Sequence, residues 1–343
     1  MNGDEMNKKT FIVAEISANH GGSLENAKAS IKGALEAGAD AVKIQTYTAD
    51  TITINCNNEY FQIKKGTLWD GKTLYELYKE AFTPWEWHKP LFDYAKELGI
   101  PLFSTPFDFT AVDFLEELGN PYYKVASFEI VDIPLIEYMA SKGKPIIIST
   151  GIATKSDIED AVRACHRMNN FDVTLLQCTS EYPAKLEDAN LAMMGDMKRE
   201  FNVNIGLSDH TNGIEVPTIA VAMGATIVEK HFILDKSFGG PDSSFSMEPS
   251  EFKKMVEKIR QVEMVIGKVD YTLSEKRKKS REFSRSLFVV KDIEEGETFT
   301  HENIRSIRPS NGLAPKYLPE IIGKKALKKI EFGTPLAWEF IKE

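Results

Sequence analysis

Eight short apolar runs, rich in valine and isoleucine, recur along most of this chain: Phe11–Ser17, Ala41–Thr46, Leu102–Phe107, Tyr122–Ser127, Pro145–Thr150, Val173–Cys178, Asn204–Asp209 and Thr226–His231. Amphipathic stretches of helical period separate them, among them Leu24–Glu36, Trp85–Leu98, Ala111–Leu118, Ser156–Met168 and Glu215–Met223. Strands that read as continuous apolar runs are buried on both faces, as happens when crossover helices cover a parallel sheet. Eight such units in about 265 residues match a closed (β/α)8 barrel, an α/β fold of the TIM type. The rival is an open doubly wound sheet. That fold is announced by a glycine-rich nucleotide turn, and neither GxGxxG nor GxxxxGK[ST] occurs here. The reading is a barrel over residues 1–270.

Two segments do not fit the repeat. Between Tyr47 and Thr83 runs a polar stretch dotted with aromatics and carrying Gly66, Trp69, Asp70 and Gly71. Loops beyond ~15 residues in compact domains are usually functional or disordered, and the cluster of Trp69 with Leu74–Tyr78 predicts an ordered lid. After Gly267, the stretch Tyr271–Arg285 sets Lys276, Arg277, Lys278, Lys279, Arg281 and Arg285 against Glu275 and Glu282. It reads as a solvated linker over 271–285. Residues 286–343 then form a small mixed domain with a strand at Leu287–Val290 and two similar turns, Asp292–Gly296 and Lys329–Gly333. A core of that size is marginal alone, so this domain is expected to lean on the barrel or on a second subunit.

Charge and composition narrow the function. The formal net charge of −9 argues against nucleic acid, which needs a basic face. A small anionic substrate is still compatible, because a few inward-facing cations make a local positive site. No apolar run approaches the ~18 residues of a bilayer span, and no secretory leader precedes Phe11. Cys56, Cys165 and Cys178 form no CxxC pair, which suits a reducing, cytoplasmic setting.

A barrel of this type does its chemistry at the C-terminal ends of its strands. Strand one brings Glu15 and Ser17 there, strand two Lys43 and Gln45, strand three Ser104 and Thr105, and strand four Lys124 and Ser127. Strand five ends on Ser149 and Thr150, strand six on Gln177 to Ser180 with Tyr182 just past it, strand seven on Ser208 to His210, and strand eight on Glu229 and His231. Residues two apart on a strand share a face. Unpaired charge in an apolar strand is heavily penalised, so two lysines, two glutamates, two histidines and a ring of hydroxyls at one barrel end define a site. The lysines and hydroxyls suit a phosphate or carboxylate. His210 and His231, on neighbouring strands, suit a divalent metal with open positions for substrate oxygens; taken singly, each would pass for a core histidine satisfied by a carboxylate. Glu15 is placed for acid/base work. His20, His88, His166 and His301 read as bystanders, with Asn19–Ser23 as a surface turn leading into the first helix.

These strand ends carry a resemblance. Ala14-Glu15-Ile16-Ser17-Ala18-Asn19-His20-Gly21-Gly22-Ser23, Lys43-Ile44-Gln45-Thr46, Ser104-Thr105-Pro106-Phe107, Tyr123-Lys124-Val125-Ala126-Ser127, Ser149-Thr150-Gly151, Gly206-Leu207-Ser208-Asp209-His210 and Glu229-Lys230-His231-Phe232 resemble, in order, the sialic acid synthase family. The stretch Arg285–Glu343 looks like that family's antifreeze-like (SAF, β-clip) domain. The segments Thr46–Thr48, Leu68–Asp70, Leu74–Tyr78 and Thr83–His88 look most like the pseudaminate-forming members. The resemblance implies condensation of phosphoenolpyruvate with an open-chain amino sugar, here a 2,4-diacetamido-2,4,6-trideoxy hexose, to a nine-carbon 2-keto acid and phosphate. It implies a divalent cation, Mn2+ or Mg2+, on His210 and His231. Phosphoenolpyruvate contacts fall on Lys43, Thr105, Lys124, Ser127, Ser149 and Ser208, and Glu15 matches the carboxylate at the reacting carbons. Sugar contacts fall on Gln45, Tyr182 and Asp242, and Arg308 matches an arginine supplied across a domain-swapped homodimer. Ser180 replaces the asparagine of the Cys-Thr-Asn-x-Tyr-Pro segment in neuraminate-forming members, which speaks against neuraminate specificity. The nearest alternative is the same chemistry on the legionaminate precursor or N-acetylmannosamine. A metal-dependent barrel hydrolase and a catalytically inactive carbohydrate-binding protein are more remote.

Overall fold

The computed structural model describes residues 9–64, 66 and 69–342. They fall into two compact units, Met1–Lys268 and Val269–Glu343, so the basic stretch 271–285 groups with the second.

The first unit is a closed parallel barrel in strand order β1 to β8: β1 Phe11–Glu15, β2 Ala41–Thr46, β3 Leu102–Pro106, β4 Tyr123–Val125, β5 Ile146–Ser149, β6 Val173–Cys178, β7 Asn204–Asp209 and β8 Ile227–His231. β1 closes on β8 with Glu15 opposite His231, and meets β2 with Glu15 opposite Lys43. The strands lie where the apolar runs predicted, shorter by a residue or two at several ends.

Strand alternation sorts the side chains into layers. Val13, Ala41, Phe103, Ile147, Leu176 and Ile227 form an apolar plug inside the barrel. Two residues further along the same strands stand Glu15, Lys43, Thr105, Ser149, Cys178 and Glu229, so one step of the two-residue repeat carries the interior from plug to polar floor. Gly206 occupies the plug layer of β7, and a Cβ there would come within 2.5 Å of the Ile227 carbonyl and 2.6 Å of Leu176. The opposite faces of the strands pack with the helices into the larger outer core, which includes Ile12, Val42, Tyr123, Ile148, Leu175 and Val228.

The lid segment is ordered where described. It holds helices at Ala49–Ile52 and Leu74–Ala81, each opened by a capping box, and a bridge between Gln62 and Thr73; Leu68 lies outside the described residues. Of the bystander histidines, His20 departs from expectation. It is 3% exposed rather than on a surface loop, because its Nδ1 accepts from the Gly22 amide at 3.1 Å and its ring meets Trp87 edge-on. Ser23 does cap the first helix, Leu24–Glu36.

The second unit contains the helix Glu275–Arg281 and the antiparallel pair β9 Ser286–Val289 and β10 Ile304–Ile307. The two turns read from sequence pair with each other, since Ile293 and Ile330 exchange both backbone hydrogen bonds at 2.9 Å. Each turn closes on a glycine in the left-handed region, Gly296 and Gly333. Leu287, Val289, Phe299, Ile304, Ile330 and Leu336 belong to its own apolar core. Among the described residues, no helix is long and apolar enough to cross a membrane.

Candidate active site

The polar floor is built around Lys43. Lys43 Nζ pairs with Glu15 Oε2 at 2.7 Å and lies 3.6 Å from Glu229 Oε1. It also donates to Thr105 Oγ1 at 3.2 Å. Gln45 donates to Glu15 Oε1 at 3.1 Å and to Ser17 Oγ at 3.0 Å. Across the floor, Lys124 donates to Ser149 Oγ at 2.6 Å, and Ser208 Oγ donates to Glu229 Oε1 at 3.2 Å. Ser127 Oγ accepts from the Gly151 amide at 3.2 Å. Ser180 Oγ is buried without a hydrogen-bond partner, and a Cβ on Gly151 would fall 2.3 Å from it. Gly151 therefore keeps open the space into which these hydroxyls point.

The two histidines stand beside this floor with ring centroids 5.3 Å apart. His210 Nδ1–H donates to the Thr179 carbonyl at 2.9 Å, which leaves Nε2 as its lone-pair nitrogen. His231 Nδ1 is buried without a hydrogen-bond partner and lies 3.9 Å from an Asp242 carboxylate oxygen. Asp242 is held from the strand-one side, where it accepts from the Ala18 amide at 3.4 Å. The ring of Tyr182 packs 4.4 Å from that of His210, and lid residue Trp69 reaches Tyr182 at 5.9 Å.

Thus the fold brings Glu15, Lys43, Gln45, Thr105, Lys124, Ser127, Ser149, Ser180, Tyr182, Ser208, His210, His231 and Asp242 to one barrel end. Arg308 belongs to the C-terminal unit, exposed one residue past β10. Glu229, placed at this barrel end by its strand but given no role there by the sequence, bridges Lys43 and Ser208. Two further residues join the site. Glu129, on the helical turn Ser127–Val131 after β4, leaves its Oε2 buried and unpartnered. Phe245 sets its ring 5.0 Å from His231 and 5.1 Å from Tyr182. Position after a strand end is the only sequence signal for Glu129, and proximity to Asp242 the only one for Phe245.

Burial sets the protonation pattern. It pushes the Glu15 carboxyl up to about 7 against the pull of Lys43, with Glu229 adding to the rise. Burial likewise lifts Glu129 to about 7, with Lys124 opposing. Glu229 is held below the usual carboxylate range; burial opposes this, but Lys43 and Lys124 prevail. Burial and the neighbouring His210 keep His231 well below its ordinary value, hence neutral. A consequence for stability follows from Glu15. Its folded-state value lies above its unfolded one, so the folded protein holds the proton more tightly. Its contribution is present at low pH and is lost as pH rises from about 4.5 to about 7. Urea midpoints should therefore fall less between pH 5 and 8 in Glu15→Gln than in the unsubstituted protein; equal falls would remove this role for Glu15.

His231 offers a neutral imidazole with an orphaned buried nitrogen, and His210 is held above its ordinary value, burial opposing but Cys178 prevailing; a divalent cation on the two rings would take the place of the His210 proton. Among the described residues no group of three or more His, Cys, Asp or Glu side chains is disposed to hold an ion. A cation on these two histidines would thus keep most positions for water or substrate oxygens.

Barrel, lysine–hydroxyl floor and paired histidines define an enzyme site for a small anionic substrate. Residues 30–271 match the NeuB family and residues 284–342 the SAF domain, and the chain belongs to the NeuB family. It is 50% identical to the pseudaminic acid synthase of Helicobacter pylori, with 96% of this chain and 97% of that protein covered. To the N,N'-diacetyllegionaminic acid synthase of Legionella pneumophila it is 40% identical over 97% of this chain and 94% of that one. Among solved structures, the N-acetylneuraminic acid synthetase of Leptospira borgpetersenii, crystallised with citrate, superposes with TM-score 0.71 at 33% identity, covering 80% of this chain and 90% of the other.

Proposed function

We propose that this protein is a pseudaminic acid synthase, a transferase that condenses phosphoenolpyruvate with 2,4-diacetamido-2,4,6-trideoxy-L-altrose to give pseudaminic acid and phosphate. The observation that carries the chemistry is the floor of Lys43, Lys124 and hydroxyls beside two neutral-capable imidazoles. The observation that carries the sugar is 50% identity, over nearly the whole chain, to a protein named for that activity.

In this reading Lys43 and Lys124 offset the negative charge of phosphoenolpyruvate, while Thr105, Ser127, Ser149, Ser180 and Ser208 donate to its phosphate and carboxylate oxygens. Such donors, already fixed before the reaction, stabilise charge in a low-dielectric site far better than water does. Gln45, Tyr182 and Asp242 orient the open-chain sugar so that its C1 aldehyde faces C3 of phosphoenolpyruvate. His210 and His231 would hold a divalent cation, Mn2+ or Mg2+, which supplies Lewis acidity at the sugar carbonyl. The new bond forms between C3 and the aldehyde carbon. Water adds at C2, and the tetrahedral carbon then releases phosphate by C–O cleavage. Glu15, poised near neutrality and fixed by Lys43 and Gln45, exchanges the proton of that water. The same reading places Arg308 of each C-terminal unit at its partner's barrel in a domain-swapped homodimer acting in the cytoplasm.

The test is phosphate release from phosphoenolpyruvate with Mn2+ and three sugars in parallel: the altrose, the legionaminate precursor and N-acetylmannosamine. Release with the altrose, at a kcat/KM well above the other two, is the expected result. Preference for another sugar overturns the specificity and keeps the chemistry. Binding of sugar without phosphate release from any of them overturns both.

A further inference from the structure

Among the described residues, two buried charges take no part in the floor: Lys230 and Asp209. Their side chains are 1% and 2% exposed, and Lys230 Nζ lies 2.5 Å from Asp209 Oδ2. Lys230 donates also to the Thr211 carbonyl. Asp209 Oδ1 accepts from the Thr211 amide at 3.0 Å and from its hydroxyl at 2.8 Å.

The two residues are direct partners in the β7–β8 ladder. Alternation along the strands puts them on the face opposite Ser208, His210, Glu229 and His231. They therefore sit on the outside of the barrel wall, one peptide bond from each histidine, and their hydrogen bonds go to each other and to Thr211 rather than to either imidazole. A buried ion pair is a poor source of net stability, because desolvation offsets the attraction and apolar residues of similar volume serve as well. What it does supply is direction, since charged hydrogen bonds fix geometry that apolar contact leaves loose.

That direction is needed at this point. β7 ends at Asp209, so His210 stands where the strand ladder has stopped. Through one ammonium group, Lys230 holds the residue before His210 and the residue after it. Lys230 is itself the residue before His231.

We propose that Lys230 is a positioning residue, which with Asp209 clamps both sides of His210 to the strand carrying His231 and thereby sets the separation of the two imidazoles and the affinity for a divalent cation. The proposal rests on the metal reading above, and the experiment separates the two. Mn2+ is titrated into the full chain and followed by the loss of the free-ion EPR signal and by the spectrum of the bound ion. The unsubstituted protein is compared with Lys230→Met/Asp209→Asn, which leaves no lone buried charge, and with Lys230→Gln, which keeps a donor. The double variant is expected to bind Mn2+ about 10–100-fold more weakly, as losses of outer-shell support usually do, with an altered bound spectrum. Saturating Mn2+ should restore kcat, with the phosphoenolpyruvate KM unchanged. Lys230→Gln should fall between the two, and decides the matter if the double variant does not fold. A folded variant with the original Mn2+ affinity and spectrum overturns the clamp alone. An unsubstituted protein that binds no Mn2+ overturns the metal reading and the clamp with it.

Discussion

His231→Ala should lose at least about 10^3-fold in kcat/KM for phosphate release, the rate equivalent of about 4 kcal/mol of transition-state stabilisation. Of the two imidazoles, His231 presents a buried nitrogen that nothing among the described residues satisfies, and burial keeps it neutral. A group left in that state is costly to keep unless a ligand completes it. Removing it should leave the fold intact, because no hydrogen bond within the protein is lost with that nitrogen. The measurement is turnover across a Mn2+ titration, with thermal unfolding as control. Loss of rate that no Mn2+ concentration restores, at an unchanged melting temperature, is the expected pattern. Full activity in the folded variant would remove His231 from the metal reading.

Lys43→Met should be damaging in a different way, to the fold as well as to the reaction. Lys43 is 4% exposed and is the common partner of Glu15 and Glu229. Its ammonium is held above its ordinary value; burial opposes this, but the two carboxylates outweigh it. Deleting one partner of a buried ion pair costs about 3–5 kcal/mol, because the remaining charge is left uncompensated. Here two carboxylates are stranded together. Adding Glu15→Gln to Lys43→Met removes one of them and should recover part of the lost stability, read as the urea midpoint at pH 8. It should recover none of the activity, since the cation proposed to face phosphoenolpyruvate is still missing. A double variant with no gain in stability would mean that the Glu15–Lys43 pair carries little of the fold's balance. One with recovered turnover would remove Lys43 from substrate binding.

The contrast between these variants tracks how the site could be read from sequence. His231, Lys43 and Glu15 were legible because a charged residue inside an apolar strand has few explanations, and the two-residue repeat says which of its neighbours share its face. The same rule puts the plug residues Val13 and Ala41 on the inward face with Glu15 and Lys43, one step further along each strand. Glu129 and Phe245 escaped because they sit on turns, where no period relates one residue to the next. His20 was misplaced for a related cause: a Gly-rich polar turn looks exposed in sequence, and only its packing under Trp87 shows that it is covered.

By itself, then, the sequence determined the class of fold, the order of its strands and the end of the barrel at which polar residues gather, because hydrophobic period is a local property that burial enforces at every strand. Only the tertiary structure decided which of those residues touch. Closing β1 against β8 sets Glu15 opposite His231, its pairing with β2 brings Glu15 within reach of Lys43, and the end of the β7 ladder makes Lys230 the tie across His210. Those contacts join residues up to 216 positions apart. Their energies come from desolvation and charge pairing, which depend on distance in space and leave no mark in local pattern.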